Sequence, residues 1–219
     1  VGTGKKEINF SEVELDKAKN YAAEDADITI RLWMLFKSQL SIFGVTKVYE
    51  SLERPLINVL ANMENEGILI SKEKLKELSE IFSNKISSLE KEIFKIANVK
   101  FNIGSPKQLS EILFSKMGFE KGIKNKSGIY STSAEILENL AVDGNIFPKK
   151  ILDWRQMSKL KSTYTDSLLD RINSSTQRVH TSYIMSGTST GRLSSAEPNL
   201  QNIPIRTSEG KEIREAFIS

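Results

Sequence analysis

At 219 residues, 39% hydrophobic and 27% charged, the chain matches a soluble globular protein with ample length for a core. No run nears the roughly 18 apolar residues of a membrane span, and no basic-then-apolar leader opens the chain. The absence of cysteine and a single histidine, His180, exclude disulfides, thiolate metal sites and a cysteine nucleophile, and leave little room for a Ser-His-Asp triad or a multi-histidine metal site.

The absence of cysteine fits a reducing cytoplasm. The formal net charge of +3 is unevenly spread, with −2 over residues 1–98 and +5 over residues 99–219. Six lysines fall in 99–133 against Glu111 and Glu120, an asymmetry that suits a polyanionic partner and equally a solvated face.

In chain order, residues 11–40 read as a helix, because Val13, Leu15, Ala18, Tyr21, Ala22, Ile28, Leu32 and Leu35 recur near helical spacing. Gly44 and Pro55 punctuate a connection, and a second helix is expected from Pro55 to about Glu66, where Gly67 ends it. Ile68-Leu69-Ile70 is a short buried link. From Ser71 to about Asn98, Leu75, Leu78, Phe82, Ile86, Leu89, Ile93 and Ile96 step by three and four, a seam suited to a packed helix pair. Ile151, Trp154, Met157, Leu160, Tyr164, Leu168 and Ile172 form a matching stripe from about Phe147 to Asn173. Both stripes read first as core packing.

About fifty residues lie between these helices, which suggests an antiparallel pair carrying a small tip. Capping boxes at Ser105-Pro106-Lys107-Gln108 and Thr132-Ser133-Ala134-Glu135 each start a short helix there. The basic stretch 121–128 between them reads as a loop. Val179 to Ile184 alternates and is β-rich, so it reads as a strand, and Ile213 to Ile218 as the start of another. The expected fold is therefore mainly α with a small β part. Both ends read as cuts in a longer parent, since the chain lacks an initial Met and stops within an apolar segment.

Four groups of residues are candidates for chemistry. Tyr21 and Asp25 stand four apart on one helix face, where a carboxylate can hold a divalent metal and a phenol can orient a metal-bound water. An exposed acidic surface explains them as well. In the tip, helix N-termini beside Lys107, Lys121, Lys124 and Lys126, with the hydroxyls of Ser105, Ser131 and Ser133, suit phosphate contacts or a solvated loop. Arg155, Lys159 and Lys161 sit on the second long helix, with Arg155 and Lys159 on one face, and a solvated flank accounts for them equally. The segment 187–206 concentrates Arg192, Asn199, Gln201, Asn202 and Arg206. Such donors can test minor-groove acceptors common to every base pair, or cap the turns of their own loop.

Thr190-Gly-Arg-Leu-Ser-Ser195 followed by Pro198-Asn-Leu-Gln-Asn-Ile-Pro204 resembles the motif that opens the palm of bacterial family A DNA polymerases. Lys159-Leu-Lys-Ser-Thr-Tyr164 resembles the end of that family's second long thumb helix. Phe101 to Leu109 and Ser131-Thr-Ser133 resemble its thumb tip, and Tyr21-Ala-Ala-Glu-Asp25 the last motif of its 3′→5′ exonuclease domain. The resemblance runs through essentially the whole chain in the family's order. It implies an exonuclease-like end over 1–45, a thumb over 46–175 with its tip about 99–145, and the start of a palm over 176–219.

By position, the resemblance implies that Arg192 contacts the minor-groove side of the primer terminus, with Asn199, Gln201 and Asn202 along the nearby duplex and Lys159 reaching the same groove; Arg206, from the same polar segment, is a further DNA-binding candidate. Asn102, Ser105, Lys107, Lys124, Lys126, Ser131 and Ser133 would hold phosphates further back. Asp25 would be one exonuclease metal ligand, completed only by ligands before Val1, and Tyr21 would orient the water. Gly104 and Pro106 replace polar or basic tip residues common in the family, and Ile184-Met185 replaces a more polar pair.

The implied function is template–primer DNA binding within a DNA-directed DNA polymerase of replication and repair. Mg2+ and deoxynucleoside triphosphates would serve the parent only, with none bound to this chain. The parent is expected to be a cytoplasmic, nucleoid-associated monomer without membrane contact. Alternatives are a stand-alone DNA-binding module or a partner-binding helical scaffold. The palm aspartates and fingers helix would lie beyond Ser219, so the 219 residues alone are expected not to polymerise, a point that metal-dependent primer extension by the isolated chain checks directly.

Overall fold

The computed structural model describes residues 1, 7–120, 122–124 and 128–218. The chain divides into two bodies, Val1–Asn62 and Met63–Ser219. Among the described residues no helix is long and apolar enough to cross a membrane.

The first body is built on α1 (Leu15–Ile42), which begins four residues later than its periodicity predicts, after a turn of 3-10 helix at Phe10–Glu12. No residue of α1 is buried. The Phe10 and Tyr21 rings lie 6.0 Å apart, and Trp33 and Tyr49 5.8 Å apart. A short helix, α2 (Thr46–Val48), passes through a wide π-helical turn, Tyr49–Glu53, into α3 (Arg54–Glu66).

The second body is organised by two long helices. α4 (Lys72–Ala97) starts at Ser71, whose hydroxyl accepts the Lys74 N–H at 3.2 Å, and ends at Asn98, in the left-handed conformation at φ 51°. Its partner is α7 (Ile146–Leu160), continued by a π-helical turn, Lys161–Asp166, into α8 (Ser167–Asp170). Leu75, Leu78 and Phe82, early in α4, pack with Met157, Leu160, Tyr164 and Leu168, late in the partner. Ile93 and Ala97, late in α4, pack with Phe147 and Ile151, early in it. The pair is thus antiparallel, as the two apolar stripes predict. Polar ties mark the same register, with Trp154 Nε1 donating to Glu90 at 3.1 Å and Lys150 pairing with Glu92 at 2.7 Å.

The tip closes the far end of the pair. It comprises α5 (Pro106–Ser110), a π-helical turn Glu111–Lys116, and α6 (Ala134–Val142). Ile103, Leu109, Ile112, Leu113 and Leu137 join the core around Ile93 and Ile151. At the other end, β1 (Ile68–Leu69) pairs antiparallel with β2 (Arg178–Val179), and β3 (Ser182–Ile184) with β4 (Ser194–Ala196). α9 (Ser208–Glu215) covers the core there through Ile213. The mainly helical class with a small β part is as expected from sequence.

Several local expectations are corrected. Residues 213–215 are helix and not strand, because Thr207 caps α9 by accepting the Gly210 N–H at 3.1 Å, and Ile213 and Ala216 then fall on one buried face. Extended pairing begins only at Phe217 and Ile218, against Ile70 and Leu69. The strand expected over 179–184 is two strands in separate sheets. Thr181 turns the chain between them, its hydroxyl facing the carbonyls of Ala196 at 3.0 Å and Pro198 at 2.8 Å. The second long helix stops at Asp170, and Asn173 then builds a turn by accepting from Ser175 and Thr176. The box at Ser105 is half made, since Gln108 accepts the Asn102 N–H at 2.7 Å and not that of Ser105. No capping box forms at Thr132–Glu135, where Arg155 takes the Thr132 hydroxyl and Ser133 caps without a side-chain bond.

Phe82, with no solvent exposure, fills the seam between the helices. Phe82→Ala is expected to lower stability by about 3–5 kcal/mol in urea unfolding, with no change of helix content in the folded state.

Candidate nucleic-acid interface

The loop between β3 and α9 holds most of the predicted groove readers, and its own hydrogen bonds decide which of them are available. Ser195 is buried, and its N–H donates to Gln201 Oε1 at 3.2 Å. Gln201 Nε2 donates in turn to the Leu193 carbonyl at 2.6 Å. Asn199 Oδ1 accepts the Gln201 N–H at 3.0 Å, and Ser195 Oγ accepts the Leu200 N–H at 2.9 Å. Both ends of Gln201 and the oxygen of Asn199 therefore hold the loop together, one of the two uses the sequence allows.

Arg192 and Arg206 differ. Both are exposed, and neither cation has a hydrogen-bond or ion-pair partner among the described residues. Arg192 follows Gly191, whose φ of 73° turns the chain, and its carbonyl accepts from Thr188 at 2.7 Å. The backbone is pinned while the guanidinium is free.

Asn202 connects this loop to the long helix. The Tyr164 hydroxyl donates to the Asn202 carbonyl, and burial pushes the Tyr164 phenol above its usual range. Lys159, one turn before Tyr164 and also exposed and unpaired, lines a cleft of about 540 Å³ together with Asn202, Arg155, Gln156 and Thr207. The structure thus brings Lys159 and Asn202 to one concavity, from two elements 43 positions apart in sequence.

A second cleft, of about 550 Å³, collects the tip residues Ser105, Lys107, Ser131 and Ser133, again with Arg155 on its wall. Ser105 Oγ caps α5, accepting the Gln108 N–H at 3.5 Å, and Asn102 Oδ1 accepts the Gly104 N–H at 3.0 Å. Lys124 lies 4.9 Å over the Tyr130 ring. Lys121 and Lys126 fall outside the described residues. Among the described predicted residues, Tyr21 and Asp25 alone belong to the first body, on α1, where Asp25 lines a shallow hollow with Thr29 and Trp33. Among the described residues no three His, Cys, Asp or Glu side chains gather as a metal site. A divalent ion takes several oxygen ligands, so Asp25 by itself does not fit one.

Arg155 is the residue whose surroundings the sequence conceals. It is half-buried, burial lowers its pKa, and its guanidinium donates to the Thr132 carbonyl at 2.5 Å and the Thr132 hydroxyl at 3.2 Å. Its spacing from Lys159 signals a shared face and not a buried partner.

At the end of the π-helical turn, Asp166 accepts from Ser79 on α4 at 2.6 Å and from Lys161 at 2.6 Å. Burial pushes this carboxyl up, but the Lys161 and Ser79 hydrogen bonds and the Lys161 charge outweigh it and leave it below the usual carboxylate value.

The family model for DNA polymerase family A matches residues 72–219. The DNA polymerase I of Rhizobium leguminosarum is 56% identical over 218 residues, 100% of this chain and 22% of that protein. That of Treponema pallidum is 48% identical over 208 residues, 95% of this chain and 21% of that protein. The chain therefore spans about a fifth of the length of these relatives. A solved structure of the POL domain of Pol1 from M. smegmatis, in complex with DNA primer-template and dNTP, superposes with a TM-score of 0.79 at 36% identity, covering 86% of this chain and 33% of that one.

Because the Asp166 carboxyl is lowered in the folded state, its contribution is present above the unfolded value near about 3.9 and is lost as pH falls through the lower folded value. Its side chain is 42% exposed, so Asp166→Asn is expected to cost only about 1 kcal/mol at neutral pH. Urea melts from about pH 5 to 2 should show the gap between the two proteins narrowing.

Proposed function

The chain belongs to DNA polymerase family A, and we propose that in its whole protein it grips the template–primer duplex for a DNA-directed DNA polymerase. The observation that carries this reading is the cleft where Lys159 and Asn202 meet, with the loop of exposed, unpaired Arg192 and Arg206 tied to the same helix through Tyr164. Unpaired cations, with the Arg192 backbone pinned by Thr188, suit a polyanion that supplies the missing partners.

In this reading Arg192 reaches the minor-groove side of the primer terminus, and Lys159 and Asn202 the adjoining groove. Arg206 lies along the same duplex. The acceptors offered there are shared by all base pairs, which a sequence-blind enzyme needs. Asn199 and Gln201 contribute mainly by shaping the loop, with the Asn199 amide nitrogen left to face the duplex. Asn102, Ser105, Lys107, Lys124, Lys126, Ser131 and Ser133 hold phosphates farther along. Residues 1–45 belong to an exonuclease-like domain, with Tyr21 and Asp25 as part of its site, 46–175 to the thumb, and 176–219 to the palm. Mg2+ serves the polymerisation and exonuclease centres of the whole protein and deoxynucleoside triphosphates its polymerisation centre, and the whole protein acts as a cytoplasmic, nucleoid-associated monomer.

In the whole protein, Arg192→Ala should weaken primer–template binding by about tenfold on every sequence tested. Lys107→Ala and Lys124→Ala should each reduce the slope of log K against log salt by about 1. Equal affinities and equal slopes across wild type and all three variants would refute the assignment.

A further inference from the structure

Arg155 stands one helical turn before Lys159 on α7 and shares its face, yet the two cations are treated differently. Lys159 is exposed and unpaired. Arg155 is half-buried, with two donors committed to one tip residue, the Thr132 carbonyl at 2.5 Å and the Thr132 hydroxyl at 3.2 Å. Thr132 is only 6% exposed. Its neighbours are fixed as well, since the Ser133 N–H donates to Ser131 Oγ at 3.3 Å and the Ser131 N–H to the Ile123 carbonyl at 2.8 Å. The turn leading into α6 is thereby tied to α7 by one guanidinium.

The location of that tie is informative. Arg155 lines both clefts, the one holding Lys159 and Asn202 and the one holding Ser105, Lys107, Ser131 and Ser133. It forms a wall between two candidate grips on one polyanion. Two grips held at a fixed separation bind one ligand far more tightly than either alone, and the gain falls when the separation is no longer fixed. A planar fork meets a carbonyl and a hydroxyl together, which an ammonium cannot reproduce.

We propose that Arg155 is a positioning residue that acts through Thr132, fixing the tip relative to the Lys159–Asn202 cleft so that both engage the same duplex. The proposal rests on the reading of both clefts as DNA-facing. It differs from direct contact, in which the Arg155 charge itself neutralises a phosphate and Thr132 has no part.

The test compares wild type, Arg155→Lys, Thr132→Val and the double variant in the whole protein. Primer–template affinity is measured across a salt series, with amide hydrogen exchange at Ser131–Ser133 and the single-turnover extension rate of bound complexes. Each single variant should raise Kd by about three- to tenfold and lower the salt slope by about 1. Exchange at the turn should accelerate, the bound-state rate should stay within about twofold, and the double variant should be little worse than Arg155→Lys. Thr132→Val binding like wild type, or Arg155→Lys retaining full affinity and slope, would overturn the proposal in favour of direct contact. Unchanged exchange at Ser131–Ser133 in Arg155→Lys would overturn it whatever the DNA result. If wild type itself shows no salt-sensitive binding, the DNA reading fails, and the exchange data still decide whether Arg155 fixes the turn.

Discussion

The seam between α4 and the helix running from Ile146 to Asp170 is what every other element of the second body leans on. Fully buried side chains line it from both sides, Leu75, Leu78, Phe82 and Ile93 on one and Ile151 and Leu168 on the other. Each contributes on the order of 1.5–3 kcal/mol, far more than the exposed ion pairs beside it. Leu89 packs against the apolar clusters at both ends, so the base and the tip share one continuous spine. A loop of polar side chains such as 187–206 has almost no core of its own. It is held where it is because Leu200 and Ile203 reach into that spine.

The π-helical turn at Lys161–Asp166 adapts this spine to its load. A wide turn shifts the helical register, so residues that would drift off the seam return to it. Tyr164 and Thr165 are both buried there, and the Thr165 hydroxyl donates to the Lys161 carbonyl at 2.9 Å. Tyr164 thereby presents its hydroxyl to Asn202, and Asp166 its carboxylate to Ser79 on α4. One short distortion thus joins the 187–206 loop to the helix pair and braces the pair itself.

The long helices were legible because their signal is repetition, in which seven apolar residues at steps of three and four outweigh any single exception. Short elements carry no such redundancy. Residues 213–218 read as strand on apolar content, yet one capping threonine and the burial of Ile213 and Ala216 made the first half of that stretch helix. The box written at Thr132–Glu135 failed because the helix starts one residue later, with Ser133 as its cap, and the Thr132 hydroxyl instead meets a partner 23 positions away. Likewise, spacing placed Arg155 and Lys159 on one face, but burial and free charge are settled by tertiary neighbours that no local pattern encodes. Asn199 and Gln201 posed the same question as Arg192, and only the bonds they make to the Ser195, Leu193 and Gln201 backbone groups separate them.

That separation has a physical logic. A loop that must present cations to a polyanion loses affinity if it has to be ordered on binding, at about 0.5–1.5 kcal/mol per immobilised side chain. Amide side chains are suited to ordering it beforehand, since each carries both donor and acceptor and can close two turns at once. Gln201 does so between Ser195 and Leu193. A guanidinium used in the same way would have its donors committed to carbonyls and no longer open to an outside anion. Arg155 takes that role between two elements, whereas the Arg192 guanidinium makes no such bond and stays exposed. The same residue type is thus an internal brace at one position and a free charge at another, and the difference lies wholly in whether the surrounding backbone has already been satisfied by something else.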